Sequence, residues 1–395
     1  MAKVAILGYG VVGSGVYEIL VSNSENIANK AGQKVEVKYI LDLRDFPDHP
    51  HQELFTKNYE DIVNDDEISV VVEVMGGVNH AYEFSKAALL KGKNVITSNK
   101  ELVATHGTEL MEIARKNSVN YLFEASVGGD IPIIRPLNQC MSANRIEEIY
   151  GILNGTTNYI MTKMSQEGAA FDEVLAEAQK LGYAERNPEA DVCGHDACRK
   201  IAILSSLASG KFVDYKDIPT EGITEITTTD VKFASKLDSV IKLIGSAKLS
   251  DDGRVFSRVA PMVVPQSHQF ASVNGVFNAI LLHGDSVGDV MFYGRGAGKL
   301  PTASAVVADV IDAVKHIKTN KWQTWEKADD DFMMDASKVA YRYFVRTKDE
   351  NLVKEFDGAE CLGNIDGWYG FVTEETEEGK FMEKLAKRGA YLRLL

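Results

Sequence analysis

Cysteine is scarce in this chain of 395 residues, and its four cysteines make no disulfide framework. A small oxidised scaffold is thereby excluded, and a reducing cytosol is the expected compartment. Positive charge is also short: 43 lysines and arginines against 57 acidic residues leave a net charge of −14. No basic cluster is available to neutralise phosphates along a duplex, so nucleic acid is not an expected partner. No apolar run reaches the ~20 residues that cross a bilayer. The first apolar strand starts at residue 3, so neither a membrane span nor a secretory leader is expected. Internal repeats and low-complexity tracts are absent as well. What remains is a chain with a globular composition, long enough for two or three domains.

The first of them announces itself at once. Residues 3–7 (KVAIL) form a short apolar run rich in β-branched residues, as a buried parallel strand requires. Gly8-Tyr9-Gly10-Val11-Val12-Gly13 follows, then a helical run to Leu20. G-x-G-x-x-G between a strand and a helix has a physical meaning. Gly8 allows the tight turn, Gly10 lets a pyrophosphate approach the backbone, and Gly13 lets helix and strand pack closely. The N–H groups of the helix start then face the phosphates. A second strand is expected over 35–41, ending in Asp42-Leu43-Arg44-Asp45. An acidic residue there binds the ribose 2′-hydroxyl of NAD, and an arginine accepts the 2′-phosphate of NADP. Arg44 facing the ribose favours NADP, and Asp42 keeps NAD open.

Strand and helix patterns alternate over the first ~125 residues, which predicts a doubly wound parallel sheet. Further strands are expected over 68–75, 94–97 and 121–124, with a helix over 80–91. Ser98-Asn99-Lys100 stands at the carboxyl end of the 94–97 strand, where open α/β sheets bind ligands. From residue 145 the pattern changes. Strands are expected over 145–153, 254–264, 279–283 and 290–293, in a second sheet of different topology. Gly294-Arg295-Gly296-Ala297-Gly298 then opens a helix over 302–317, a placement that suits an anion. The domains expected are a dinucleotide-binding domain over 1–130, completed by the helix near 300–320, and a substrate and dimerisation domain over 131–300. A linker over 321–335, containing Asp329-Asp330-Asp331, leads to a small α+β unit over 336–395, with strands over 339–346, 370–373 and 391–394 and a helix over 377–387.

The segment 178–200 (AQKLGYAERNPEADVCGHDACRK) carries the densest chemistry. It places Glu185, Asp191, Asp196 and Lys200 close together, on a loop that enters a helix. Asp196 and Lys200 are four apart and share one helix face. A lysine beside a carboxylate can move a proton or polarise a carbonyl. Cys193, His195 and Cys198 lack a fourth ligand at zinc-site spacing, and Cys193 and Cys198 read as packing residues.

These motifs resemble homoserine dehydrogenase over roughly residues 1–320. The resemblance rests on Ala178, Gly182, Tyr183, Ala184, Asn187, Pro188, Asp191, Gly194, Asp196 and Lys200, a long and specific spacing. Ser98-Asn99-Lys100-Glu101-Leu102, Glu124-Ala125-Ser126-Val127-Gly128-Gly129, Asn154-Gly155-Thr156 and Gly296-Ala297-Gly298 support it. The resemblance implies NAD(P)-linked interconversion of L-homoserine and L-aspartate 4-semialdehyde, in threonine, methionine and isoleucine biosynthesis. Lys200 would be the proton donor or acceptor, with Lys100 beside cofactor and substrate. Glu185, Asp191 and Asp196 would bind homoserine, with the backbone of Gly155 and Thr156. Cofactor contacts would be Gly8, Gly10, Val11, Val12 and Gly13, then Arg44, Ser98, Lys100, Gly182 and Gly296. Glu124, Val127, Gly129 and Ile131 match a site for a monovalent cation such as sodium, built mainly from carbonyls, with Asp130 where the family often has glycine. A homodimer or homotetramer is implied too.

The C-terminal unit resembles an ACT regulatory domain loosely. Thr347-Lys348-Asp349-Glu350-Asn351-Leu352 stands where such domains carry a proline- and glycine-containing turn, so assembly is an alternative role to threonine feedback. Two competing functions are a dinucleotide-sensing binding protein and an acylating semialdehyde dehydrogenase. The latter needs a nucleophilic cysteine, for which only Cys140, in an apolar helical run, is near the domain junction.

Overall fold

A computed structural model describes every residue except 130, 322, 323 and 330. The chain divides into two compact units. The first comprises Met1–Asn144, Ser206–Asp214 and Gly294–Ala328; the second comprises Arg145–Ser205, Tyr215–Tyr293 and Asp329–Leu395.

The first unit is built on six parallel strands: β1 (Ala2–Leu7), β2 (Val35–Leu41), β3 (Phe55–Thr56), β4 (Ile68–Glu73), β5 (Asn94–Thr97) and β6 (Tyr121–Leu122). Their order is β3-β2-β1-β4-β5-β6, which reverses between β1 and β4. In an open α/β sheet that reversal opens a crevice at the carboxyl ends of the strands. The strands are buried on both faces, as the adjacent pairs Val4 and Ala5, Val70 and Val71, and Val95 and Ile96 record, because helices cover the sheet. The helix Lys299–Lys315 supplies Val306, Val310 and Val314 to the same core. It begins three residues before the expected start, with Pro301 in its first turn, where a missing N–H costs nothing.

Two strand ends differ from expectation for identifiable reasons. The 68–75 strand stops at Glu73, whose side chain accepts the Met75 N–H and turns the chain out of the sheet. The 121–124 strand stops at Leu122, since Glu124–Ser126 tightens into a turn of 3₁₀ helix.

The second unit holds a nine-stranded sheet. Its strands are β7 (Ile146–Ile152), β8 (Ser239–Leu249), β9 (Val255–Pro265), β10 (Phe277–Gly284) and β11 (Gly288–Arg295), and from the C-terminal region β13 (Tyr343–Thr347), β14 (Glu360–Ile365), β15 (Trp368–Val372) and β17 (Gly389–Leu394). β12 (Ala340–Tyr341) and β16 (Thr376–Glu377) form a separate two-stranded ribbon. The sheet order is β11-β10-β7-β8-β9-β17-β13-β15-β14. The C-terminal strands therefore continue the same sheet, joined by the parallel pairs Arg393 to Met262 and Leu394 to Val263. β8 is absent from the sequence expectations. It carries Lys242, Gly245 and Ser246 inside a span buried on both faces, so it shows neither alternation nor an unbroken apolar run. β14 escaped notice as well, because its Glu360, Gly363 and Asn364 dilute the β-formers.

Candidate active site

In the first unit the glycine turn has the shape its spacing demands. Gly8 sits at φ +97°, where a side chain is strained. A Cβ on Gly13 would stand 1.9 Å from the Gly8 carbonyl oxygen, so helix and strand meet only without one. Gly10, by contrast, faces open space and precedes the helix Val11–Ser22 with no side-chain cap. The helix N–H groups beyond it suit an anion. These residues fit a dinucleotide pyrophosphate.

Beside the turn lies a cleft of about 530 Å³, walled by Gly8, Gly10, Asp42, Arg44, Lys57, Tyr59, Val74, Met75, Gly76, His80 and Phe84 among others. Asp42 accepts the Tyr9 N–H at 2.8 Å, which ties the end of β2 to the glycine turn. Arg44 grips the same carboxylate through Nε at 3.0 Å and Nη2 at 2.8 Å. That guanidinium, with the backbone N–H groups of Arg44 and Tyr9, holds the Asp42 carboxyl well below the usual carboxylate range. Lys57 pairs with Asp45 at 2.7 Å on the same rim. Tyr59 and Phe84 stack with ring centroids 4.1 Å apart, giving the cleft an aromatic wall. Lys57, Tyr59, His80 and Phe84 were not expected from sequence; no local pattern marks residues that meet only through the sheet.

Ser98 and the half-buried Lys100 stand at the carboxyl end of β5, and Lys100 opens the helix Lys100–Lys116. Asn99 caps that helix, its Oδ1 accepting the Leu102 N–H at 3.1 Å. Gly129 is pressed against the second glycine run: a Cβ there would lie 2.4 Å from the Gly296 carbonyl oxygen. Val127 and Ile131 are buried, and Asp130 lies outside the described residues. The Glu124 side chain is fully committed. It accepts the N–H groups of Ile133, Ile134 and Arg135 at 2.6–2.9 Å and faces the Arg135 guanidinium at 3.3 Å. Only its backbone carbonyl is left for a cation. Burial raises the neighbouring carboxyl of Asp309, which accepts the Glu124 N–H at 2.8 Å.

The second unit brings together most of the acid–lysine segment. Lys200 lies in the helix His195–Ser209 and is only 8% exposed. Its Nζ donates to Asp196 Oδ2 at 2.7 Å, one helical turn away, and to the Leu153 carbonyl at 2.7 Å, just past the end of β7. Asn154 is the residue that sequence reading undervalued. Its Nδ2 donates to Asp191 Oδ1 at 2.8 Å and to Asp196 Oδ2 at 3.0 Å, gathering the two carboxylates. Its Oδ1 meanwhile accepts the Thr157 N–H at 2.8 Å and caps the helix Gly155–Glu167. An asparagine before a helical run is a legible cap; its second task is tertiary. Gly155 and Thr156 thus form a helix start beside the lysine cluster, and the Thr156 hydroxyl donates to the Tyr183 carbonyl at 2.6 Å. Glu185 lies on the exposed loop after Gly182, where its carbonyl accepts from Gln179 Nε2 at 3.1 Å. Gly182 itself sits at φ +76°.

The cysteines take no part. Cys198 is buried and its thiol donates to the Tyr215 carbonyl at 3.2 Å, Cys193 is half-buried, and Cys140 is exposed at the end of the short helical turn Pro136–Cys140.

Two family models match the chain: homoserine dehydrogenase over residues 132–311, and the homoserine dehydrogenase NAD binding domain over residues 8–124. A homoserine dehydrogenase of Synechocystis sp. is 47% identical over 320 residues, which cover 79% of this chain and 73% of the relative. One of Bacillus subtilis is 41% identical over 321 residues, covering 80% and 73%. Among solved structures, a homoserine dehydrogenase from Thiobacillus denitrificans superposes with a TM-score of 0.89 at 35% identity, covering 100% of this chain and 98% of its own. A hyperthermophilic archaeal homoserine dehydrogenase mutant in complex with NADPH gives 0.68 at 28% identity, covering 79% and 97%. A parallel sheet with a dinucleotide turn, in such company, defines an NAD(P)-dependent oxidoreductase acting on a CH–OH group. The substrate follows from the match over residues 132–311. The chain belongs to the homoserine dehydrogenase family.

Proposed function

We propose that Lys200 transfers the proton when L-homoserine is oxidised to L-aspartate 4-semialdehyde, and returns it in the reverse direction. The observation that carries this is a buried amine held at two points, by the Asp196 carboxylate and the Leu153 carbonyl. Alcohol oxidation removes a hydride from the carbinol carbon and a proton from its oxygen. The nicotinamide, when bound, supplies the hydride acceptor. Lys200 takes the hydroxyl proton as a neutral amine, and as an ammonium it stabilises the oxygen where charge develops in reduction. Lys100 provides a second positive group beside cofactor and substrate. The amino-acid end of homoserine needs a cation partner and an anion partner. Glu185 suits the ammonium, with Asp191 and Asp196 supporting the polar pocket. The backbone N–H groups of Gly155 and Thr156, at a helix start, suit the carboxylate.

For the cofactor we propose NADP over NAD. Arg44 and Lys57 both line the cleft beside Asp42, so two cations are within the same wall as one carboxylate. Ser98, Val11, Val12, Gly182 and Gly296 are the remaining proposed contacts. The carbonyls of Glu124, Val127, Gly129 and Ile131 would hold a monovalent cation such as sodium. A homodimer or homotetramer is supported by β11, the edge strand of the second sheet, which exposes Met291 and Tyr293 after an exposed Val287. Four cysteines, too few for a disulfide framework, suit the cytosol. The C-terminal region, continuous with the sheet, suits a role in assembly over threonine binding.

The test is reduced-nicotinamide formation from L-homoserine, with NAD and NADP in parallel and with threonine added. Homoserine-dependent signal favouring NADP supports both proposals. Equal or better turnover with NAD removes the cofactor assignment, and no turnover from folded protein that binds NADPH favours a sensor.

A further inference from the structure

Glu73 closes β4 at the carboxyl edge of the first sheet and is 0% exposed. Neither the glycine turn nor the lysine clusters use it. Both of its oxygens are nevertheless occupied. Oε1 accepts the Met75 N–H at 2.8 Å, and Oε2 accepts the Thr97 hydroxyl at 2.5 Å. Having donated its proton to Glu73, the Thr97 oxygen accepts the Asn99 N–H at 2.9 Å. Asn99 then acts twice more. Its Oδ1 caps the helix that begins with Lys100, and its Nδ2 donates to the Gly77 carbonyl at 2.6 Å.

The bonds form a circuit. It runs from Met75 through Glu73, Thr97 and Asn99 to Gly77, two residues from where it started. Inside it lies the Val74-Met75-Gly76 wall of the dinucleotide cleft, and at its rim is the first residue of the Lys100 helix. Among the described residues no cation partners Glu73, so a charge there is expensive. Burial accordingly pushes its carboxyl up to about 7. An apolar residue would fill the space more cheaply, but it would take the acceptor from the Met75 N–H and from the fully buried Thr97 hydroxyl. Costly polar groups of this kind persist where geometry is needed.

We propose that Glu73 is a positioning residue for the dehydrogenase reaction: through Met75, and through the Thr97–Asn99 relay, it holds the cleft wall and the start of the Lys100 helix in one arrangement. The proposal rests on the homoserine dehydrogenase reading and adds a group that touches neither substrate nor cofactor.

Steady-state kinetics of the full-length enzyme test it, with Thr97→Val, Thr97→Ser and Glu73→Gln beside the wild type. Thr97→Val keeps the shape and breaks the relay. It should lower kcat about tenfold and raise the dinucleotide KM several-fold, with the homoserine KM within about twofold, as misplacement of reacting groups does. Thr97→Ser restores the hydroxyl and should recover to within about threefold of wild type. Glu73→Gln keeps both links, its oxygen taking the Met75 N–H and its amide facing the Thr97 oxygen, and should also stay within about threefold. Thr97→Val turning over like Thr97→Ser would overturn the proposal. So would a Thr97→Val protein that has lost its fold, or one whose loss lies in the homoserine KM alone. A wild type silent toward homoserine would instead remove the reading on which the proposal rests.

Discussion

The Lys200 amine donates to the Leu153 carbonyl at 2.7 Å, a bond that fixes the helix His195–Ser209 to the end of β7. The next residue, Asn154, holds Asp191 and Asp196, so one strand end sets the position of the lysine and of both carboxylates. The chemistry proposed for Lys200 therefore depends on a short segment that is not itself acidic or basic.

Asn154 separates stability from activity. Asn154→Ala removes a helix cap, which costs about 1 kcal/mol. It also releases the two carboxylates, which should lower kcat/KM for homoserine about tenfold. Asn154→Ser retains a cap but is too short to bridge Asp191 and Asp196. Thermal unfolding should recover in the serine variant while kcat/KM stays low. Recovery of both together would mean that the asparagine matters only as a cap.

Arg44 should set cofactor choice. Its exposed guanidinium is bound to Asp42 and lies on the cleft wall. Arg44→Ala should raise the KM for NADP about tenfold, the scale of one charge-assisted contact to a phosphate, and change the KM for NAD by less than about threefold. Equal effects on both cofactors would place Arg44 outside the 2′-phosphate site.

Glu73 predicts an acid-favoured term in stability. Its carboxyl is raised to about 7 by burial, against about 4.3 in an unfolded chain. Between those values the folded state holds the proton more tightly. Its contribution is therefore fully present below the unfolded value and is lost as pH rises through about 7. Glu73→Gln removes this term, so the stability difference between variant and wild type should grow in the variant's favour by about 1 kcal/mol per pH unit over that window. Tyr121 on β6, raised first by burial and then by the Glu73 charge, titrates far above it. Denaturant unfolding of both proteins at several pH values measures the slope. Parallel profiles would mean that Glu73 carries no shifted proton.

The C-terminal strand is anchored by charge. Arg393 and Arg258, at 0% and 1% exposure, share Glu221 and Glu378 at 2.8–3.2 Å. Arg393→Met leaves the half-buried carboxylates of Glu221 and Glu378 with one cation between them. With Glu221 partly solvated, the expected loss is about 3 kcal/mol, at the lower end for a broken buried pair. Urea unfolding that matches the wild type would show the cluster to be dispensable.

Much of this was legible in the sequence, and the limits are physical. The G-x-G-x-x-G turn and the Asp196–Lys200 pair are local: one needs a strand and a helix in succession, the other a single helical turn. Asn154, Lys57 and Glu73 act between elements far apart in sequence, so no spacing announces them. β8 was missed because burial on both faces erases the alternation that marks a strand. The 178–200 spacing was specific enough to give the family and the Asp196 partner of Lys200, but it said nothing of the Leu153 carbonyl that holds the amine from the other side.

The most direct test of the account is Lys200→Ala. Homoserine oxidation and NADPH binding are measured on the same folded preparation. The proposed role predicts a fall in kcat of about a thousandfold, the scale of a lost proton-transfer group, with dinucleotide affinity within about threefold of wild type. Turnover within about tenfold of wild type would contradict it and assign the proton to another residue.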